Sequence, residues 1–139
     1  MKVILSTNQT NINSHRHISD IKMLHDSVLE SECTDLICDN FLSTFSYAET
    51  EQVIQIIASK MRINSELTIQ EIDTRLFCKK FNVEELDLEN INALIFSTKR
   101  KSILTADKII SAMDKRMKLT DMHYSDQSCG VTMKYRRAI

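Results

Sequence analysis

The chain has 139 residues, 42% of them apolar and 27% charged, which suits one globular domain with a real core and excludes wholesale disorder. Its formal net charge of −1 supplies no overall basic field toward nucleic acid or an anionic membrane. Gly130 is the only glycine and there is no proline, so a phosphate cradle or dinucleotide fingerprint, each needing several glycines in one loop, is excluded.

In chain order, "KVIL" at 2–5 predicts a short strand that runs straight into the polar turn "STNQTN" at 6–11. "HISDI" at 17–21 reads as a second strand. The stretch 20–32 is open between a charged loop and a helix with Ile21, Leu24 and Val28 on one face. "TDLIC" at 34–38 is a compact apolar run fit for a buried strand. A helix is predicted over 47–62, with Ser46 as N-cap, Glu49 completing a capping box, and Val53, Ile54, Ile57 and Met61 as its apolar face. "SELTIQEID" at 65–73 alternates like a strand, and a charged helical connection follows through 83–96. A second amphipathic helix spans 105–117, capped by Thr105. The segments 118–125 and 129–137 alternate with period two around the turn "DQS", which predicts a terminal β-hairpin. Helices alternating with strands imply parallel crossovers, with the hairpin adding antiparallel strands.

No apolar run is long enough to cross a bilayer, and the N-terminus lacks the length of a signal peptide, so a non-secreted soluble chain is expected. The four cysteines, Cys33, Cys38, Cys78 and Cys129, include no C-x-x-C pair and read as reduced, mostly buried thiols.

Several residue groups carry possible chemistry. His15 and His17 stand two apart, so that on a strand they share a face. With Asp20, His25 or a cysteine they could ligate a metal, but no carboxylate or cysteine pair stands at ligand spacing, and a solvated strand is the preferred reading. Asp39 and Asn40 follow the central strand, at the end of an open α/β sheet where ligands bind; the plainer reading makes them a turn over Phe41. Asp73 ends the next strand, where it could orient a nucleophile or cap a helix beginning at Thr74. His123 and Tyr124 fall on the hairpin and read as surface or packing residues. Two basic clusters, Lys99-Arg100-Lys101 and Lys134 with Arg136-Arg137, could contact phosphates, but solvation or an acidic partner is the preferred reading.

Residues 34–73, "TDLICDNFLSTFSYAETEQVIQIIASKMRINSELTIQEID", resemble the middle of a class I S-adenosylmethionine-dependent methyltransferase. Residues 90–137 are similar to that family's last helix and closing hairpin. The opening "MKVILSTNQTNINSHRHIS" resembles the short first motif of compact, often phage-encoded members. The resemblance implies a Rossmann-like α/β fold in a single domain over 1–139: a mostly parallel sheet with a C-terminal antiparallel hairpin and a reduced N-terminal half. It implies that the loop at Asp39 and Asn40 would hold the methyl acceptor or the cofactor's base, and that Asp73 matches the family's acidic position after the fifth strand.

The departures from the family pattern are concentrated at the cofactor. The glycine-rich turn after the first strand is here Ser6-Thr7-Asn8, in which Asn8 or Asn11 could adopt a left-handed conformation. The ribose-binding acid falls near Ser19, with Asp20 one position late. The paired glycines before the fifth strand are Asn64-Ser65. These changes predict a lost cofactor site and a non-catalytic domain acting as a structural or interaction protein, with no cofactor and no metal, in a host cytoplasm or a virion. The alternative is a methyltransferase that binds S-adenosylmethionine through an altered loop, using Asp39, Asn40 and Asp73. A nucleic-acid accessory protein is the third reading. Too few N-terminal helices are available to cover both sheet faces, which predicts a protein partner or a second copy over the under-protected face.

Overall fold

The structure, a computed structural model, describes residues 1–8, 13–96 and 99–139. Six strands form one sheet: β1 (Lys2–Leu5), β2 (Arg16–Ile18), β3 (Cys33–Asp39), β4 (Met61–Ile72), β5 (Met117–Ser125) and β6 (Gly130–Arg137). Their order is β2-β1-β3-β4-β6-β5. The first four are mutually parallel, and the β5–β6 hairpin joins antiparallel on β4. This is the expected mixed α/β sheet with its closing hairpin.

Among the described residues five α-helices accompany it: α1 (Ile21–Ser27), α2 (Thr50–Ser59), α3 (Thr74–Asn82), α4 (Leu88–Phe96) and α5 (Ala106–Ala112). The open stretch 20–32 is therefore resolved in favour of a helix, α1, with Asp20 as N-cap and Leu24 buried. The capping box forms as expected: Glu49 Oε1 lies 2.7 Å from Ser46 Oγ and 3.4 Å from Ser46 N. It closes a short 3-10 turn at Tyr47–Glu49, from which α2 continues. The helix is shorter than predicted, because Met61 leaves its apolar face for β4, where it pairs with Cys33. The predicted helix 105–117 likewise stops at Ala112. Asp114 closes a turn by accepting from the amide (2.8 Å) and guanidinium of Arg116, and β5 begins at Met117. The predicted connection 83–96 resolves into α4, preceded by α3.

Register divides the sheet into two unlike faces. Val3, Leu5, Leu36, Cys38, Leu67 and Ile69 point one way, and α1, α2 and α5 pack on them through Leu24, Val53, Ile54, Ile57 and Ile109. The alternate positions point the other way: Ile4, Asp35, Ile37, Asp39, Glu66, Thr68 and Gln70, continued by Thr132, Lys134 and Arg136 on β6. None of these belongs to the core cluster, and Glu66, Gln70 and Arg136 are exposed. A parallel sheet is ordinarily covered on both faces; here the helical core layer lies on one. The N-terminal half is short for a physical reason: only residues 6–15 link β1 to β2, fewer than the dozen or more of a usual parallel crossover.

Candidate functional site

A network of polar residues converges at the carboxyl end of β3 and β4. Asn40 follows β3 in the left-handed region, φ 48°, and its amide donates to the Gln70 carbonyl at 2.8 Å, so the turn is pinned to the neighbouring strand. Its side-chain nitrogen donates to Asp39 Oδ1 at 3.0 Å, and its side-chain oxygen accepts from Arg100 Nη2 at 3.4 Å. Arg100 Nη1 donates to Ser43 Oγ at 2.8 Å and meets Glu71 Oε1 at 3.4 Å. The Ser43 amide donates to Glu71 Oε2 at 3.2 Å. Glu71 is 2% exposed, and burial pushes its carboxyl above the usual range against the opposing pull of Arg100 and Ser43. The Arg100 Nε atom is buried without a partner among the described residues.

Beside this network opens a cleft of about 470 Å³, lined by Asn40, Arg100, the paired strand positions Gln70 with Thr132 and Ile72 with Gly130, Ser125, and Leu94 of α4. It occupies the end of the sheet where ligands enter open α/β proteins. Chemically its floor is a neutralised ion pair, and its walls offer amides and hydroxyls.

Asn40 lines the cleft, and Asp39 stands beside it as the acceptor of its side-chain amide. Asp73 does not join them. It is 4% exposed, its Oδ1 accepts from the Ala106 amide at 3.2 Å, and it anchors the start of α5. It occupies the N-cap position of α3 as the plainer reading had it, but its side chain serves the other helix. Glu71 was missed, and Arg100 was read only as a member of a basic cluster, without its partner. The available signal was a glutamate in phase with Leu67 and Ile69 on a strand whose inward face is apolar, which demands a buried countercharge.

The expected cofactor positions are engaged within the chain. Ser6 is 2% exposed; its amide donates to the Ile18 carbonyl at 3.2 Å, and its hydroxyl accepts from the Asn8 amide at 3.1 Å. The Ser6 carbonyl lies 2.9 Å from His17 Nε2. Asp20 Oδ1 accepts from the Lys22 amide at 2.9 Å and caps α1. Asn64 keeps a glycine-like φ of 65° within β4. Asn11 lies outside the described residues. The Ser6 hydroxyl and the Asp20 carboxylate each accept a hydrogen bond from the chain's own backbone.

The remaining candidates disperse. His15 Nε2 lies 3.2 Å from Asp35 Oδ2, while His17 faces Ser6, so the two imidazoles do not share a ligand position. Among the described residues no group of three His, Cys, Asp or Glu is placed to hold a metal. His123 and Tyr124 are exposed on β5. The basic clusters are corrected in part: Arg100 turns inward onto Glu71, and Arg137 is buried, donating to Ser31 Oγ, the Ile139 carbonyl and the Met61 carbonyl. Three of the cysteines are buried and all four are free, but Cys78 is exposed. No helix of the described residues is long and apolar enough to cross a membrane.

No family model and no curated sequence matches the chain. Solved structures do. A protein of Pyrococcus horikoshii aligns at TM-score 0.65 and 12% identity, over 98% of this chain and 71% of its own. The magnesium protoporphyrin IX methyltransferase of Synechocystis, solved with bound SAH, aligns at TM-score 0.60 and 15% identity over 89% of this chain. The N-methyltransferase NodS of Bradyrhizobium japonicum, in complex with S-adenosyl-L-homocysteine, aligns at 0.58 and 7% identity over 98% of this chain. The chain spans 52% of the length of the first of these enzymes and 66% of the second. The likeness to phage-encoded members gains no support from these archaeal and bacterial neighbours. Together, sheet order, hairpin and neighbours give this chain the fold of the class I S-adenosylmethionine-dependent methyltransferases.

Proposed function

We propose that this protein is a non-catalytic methyltransferase-fold domain that serves as a structural or interaction component of a larger assembly. The observation that supports this reading is the internal engagement of the cofactor positions: Ser6 and Asp20 satisfy the protein's own backbone. The open sheet face is the surface such a component would offer. By resemblance, a virus-associated complex or the host cytoplasm is its setting.

The second reading, a methyltransferase with an altered cofactor loop, is favoured by one feature, the cleft at Asn40 and Gln70. In that reading Asp39 and Asn40 would place an acceptor by orientation alone, and Asp73 would take no part.

Calorimetric titration with S-adenosylmethionine and its demethylated product separates the two. The expected result is no binding up to about 1 mM. Binding tighter than about 100 μM, roughly 5.5 kcal/mol, overturns the proposal and makes the second reading the leading one.

A further inference from the structure

We infer that the open face of the sheet is closed by a second copy of this chain, packed face to face about a two-fold axis that runs along the strands between β4 and β6. This rests on the reading of the protein as an interaction component and names its partner.

The charges on that face are segregated by strand. Within the continuous register, β3 and β4 present Asp35, Asp39 and Glu66 and no base. Strands β6 and β5 present Lys134, Arg136 and Lys118, with His123 and one acid, Asp121. Cross-strand rows fix what meets what. Lys2, Asp35, Glu66, Arg136 and Lys118 lie in one row, with Lys2 on β1 outside the four strands, and Asp39, Gln70, Thr132 and His123 lie in another.

A two-fold axis along the strands swaps the halves of each row and keeps the rows level. Glu66 of one copy then stands opposite Arg136 of the other, Asp35 opposite Lys118, Asp39 opposite His123 and Gln70 opposite Thr132. Each contact occurs twice, as a two-fold interface requires. Axes shifted by one strand toward β3, or by half a strand onto β4, instead oppose Glu66 to Asp35 or to its own mate. The row between the Glu66 and Gln70 rows is unmatched in charge: Asp121 stands against Ile37, and Lys134 against Thr68.

Within the chain these charges are only loosely matched. Lys134 lies 3.7 Å from Glu66, with both side chains about half exposed. On the flank of the proposed interface, His15 leans over Asp35 at 3.2 Å, and Ile4 of β1 is already 2% exposed. The strands left open are therefore the four that the axis brings together. The same axis takes both α4 helices to one end of the pair. There Leu88 and Phe96 stand 66% and 75% exposed, and no residue of the helix is buried within its own chain.

The test is sedimentation velocity on the full chain up to about 1 mM, in about 50 mM and about 500 mM salt. The expected result is a monomer–dimer equilibrium at least about tenfold weaker at the higher salt. Two charge-reversed variants, Asp35→Lys with Glu66→Lys, and Lys118→Glu with Arg136→Glu, are each expected to be folded monomers by circular dichroism. Mixed together they are expected to form a one-to-one heterodimer, because the acidic row of one variant then meets the basic row of the other. A chain that stays monomeric at every concentration and salt overturns the inference, while the proposed function stands unless the cofactor binds. A dimer that ignores both reversals, or variants that fail to pair on mixing, also overturns it.

Discussion

At Glu71 and Arg100, two charges are taken out of water together, and each depends on the other. Breaking such a pair by removing one member costs about 3–5 kcal/mol, because the survivor is left buried and uncompensated. Arg100→Met is therefore expected to lower stability by about 3 kcal/mol near pH 7.5, measured by urea unfolding. The pH dependence has a definite sign. Burial already holds the Glu71 carboxyl above its ordinary value, and losing Arg100 raises it further. A raised folded-state value contributes stability that is complete below the unfolded-state value and disappears as pH rises through the folded one. The penalty of Arg100→Met is accordingly smaller near pH 5 than near pH 7.5. An equal penalty at the two values would mean that the Glu71 charge is not what Arg100 compensates.

Among the elements, α2 depends on its entry. Ser46 and Glu49 close the capping box, and Thr50 Oγ1 donates to the Ser46 carbonyl at 3.1 Å. Ser46→Ala is expected to cost about 1 kcal/mol, and Ser46→Asp to recover most of it, in thermal unfolding. This entry was legible in the sequence, because a cap is a local pattern of hydroxyl and carboxylate at fixed spacing. The hairpin was legible too: two period-two segments flank a polar turn, and the observed register closes with Ser125 opposite Gly130. The helix exits were not. Met61 suits the apolar face of a helix as well as an inward strand position, and only pairing with Cys33 decides between them. The site was half legible. Asn40 follows from the position of a strand end, whereas Arg100 belongs to a run of three bases whose inward member is chosen by Glu71, 29 residues earlier. Asp73 was placed correctly at a helix start, but the helix its carboxylate serves begins 33 residues later. Long-range partners of this kind leave no local period to read.

For the whole molecule, uneven cover predicts uneven stability. Strands β3 and β4 lie at the middle of the sheet with the helical core layer against them, while α4 contributes no buried residue. Amide hydrogen exchange is expected to be slowest in β3 and β4, near the global unfolding limit, and fastest in α4, whose opening exposes little new surface. Protection in α4 equal to that in β4 would show that the helix is covered by something outside its own chain.

The ten-residue link between β1 and β2 makes the open sheet face an engineering opportunity. Loop closure grows only with the logarithm of length, so tripling this link costs about 1 kcal/mol. A designed helix inserted between Asn8 and Asn13 could lie over Ile37 and Thr68 and compete with any protein that docks there. Such a graft would turn a surface property into a switch, with the inserted helix as a tethered inhibitor of assembly.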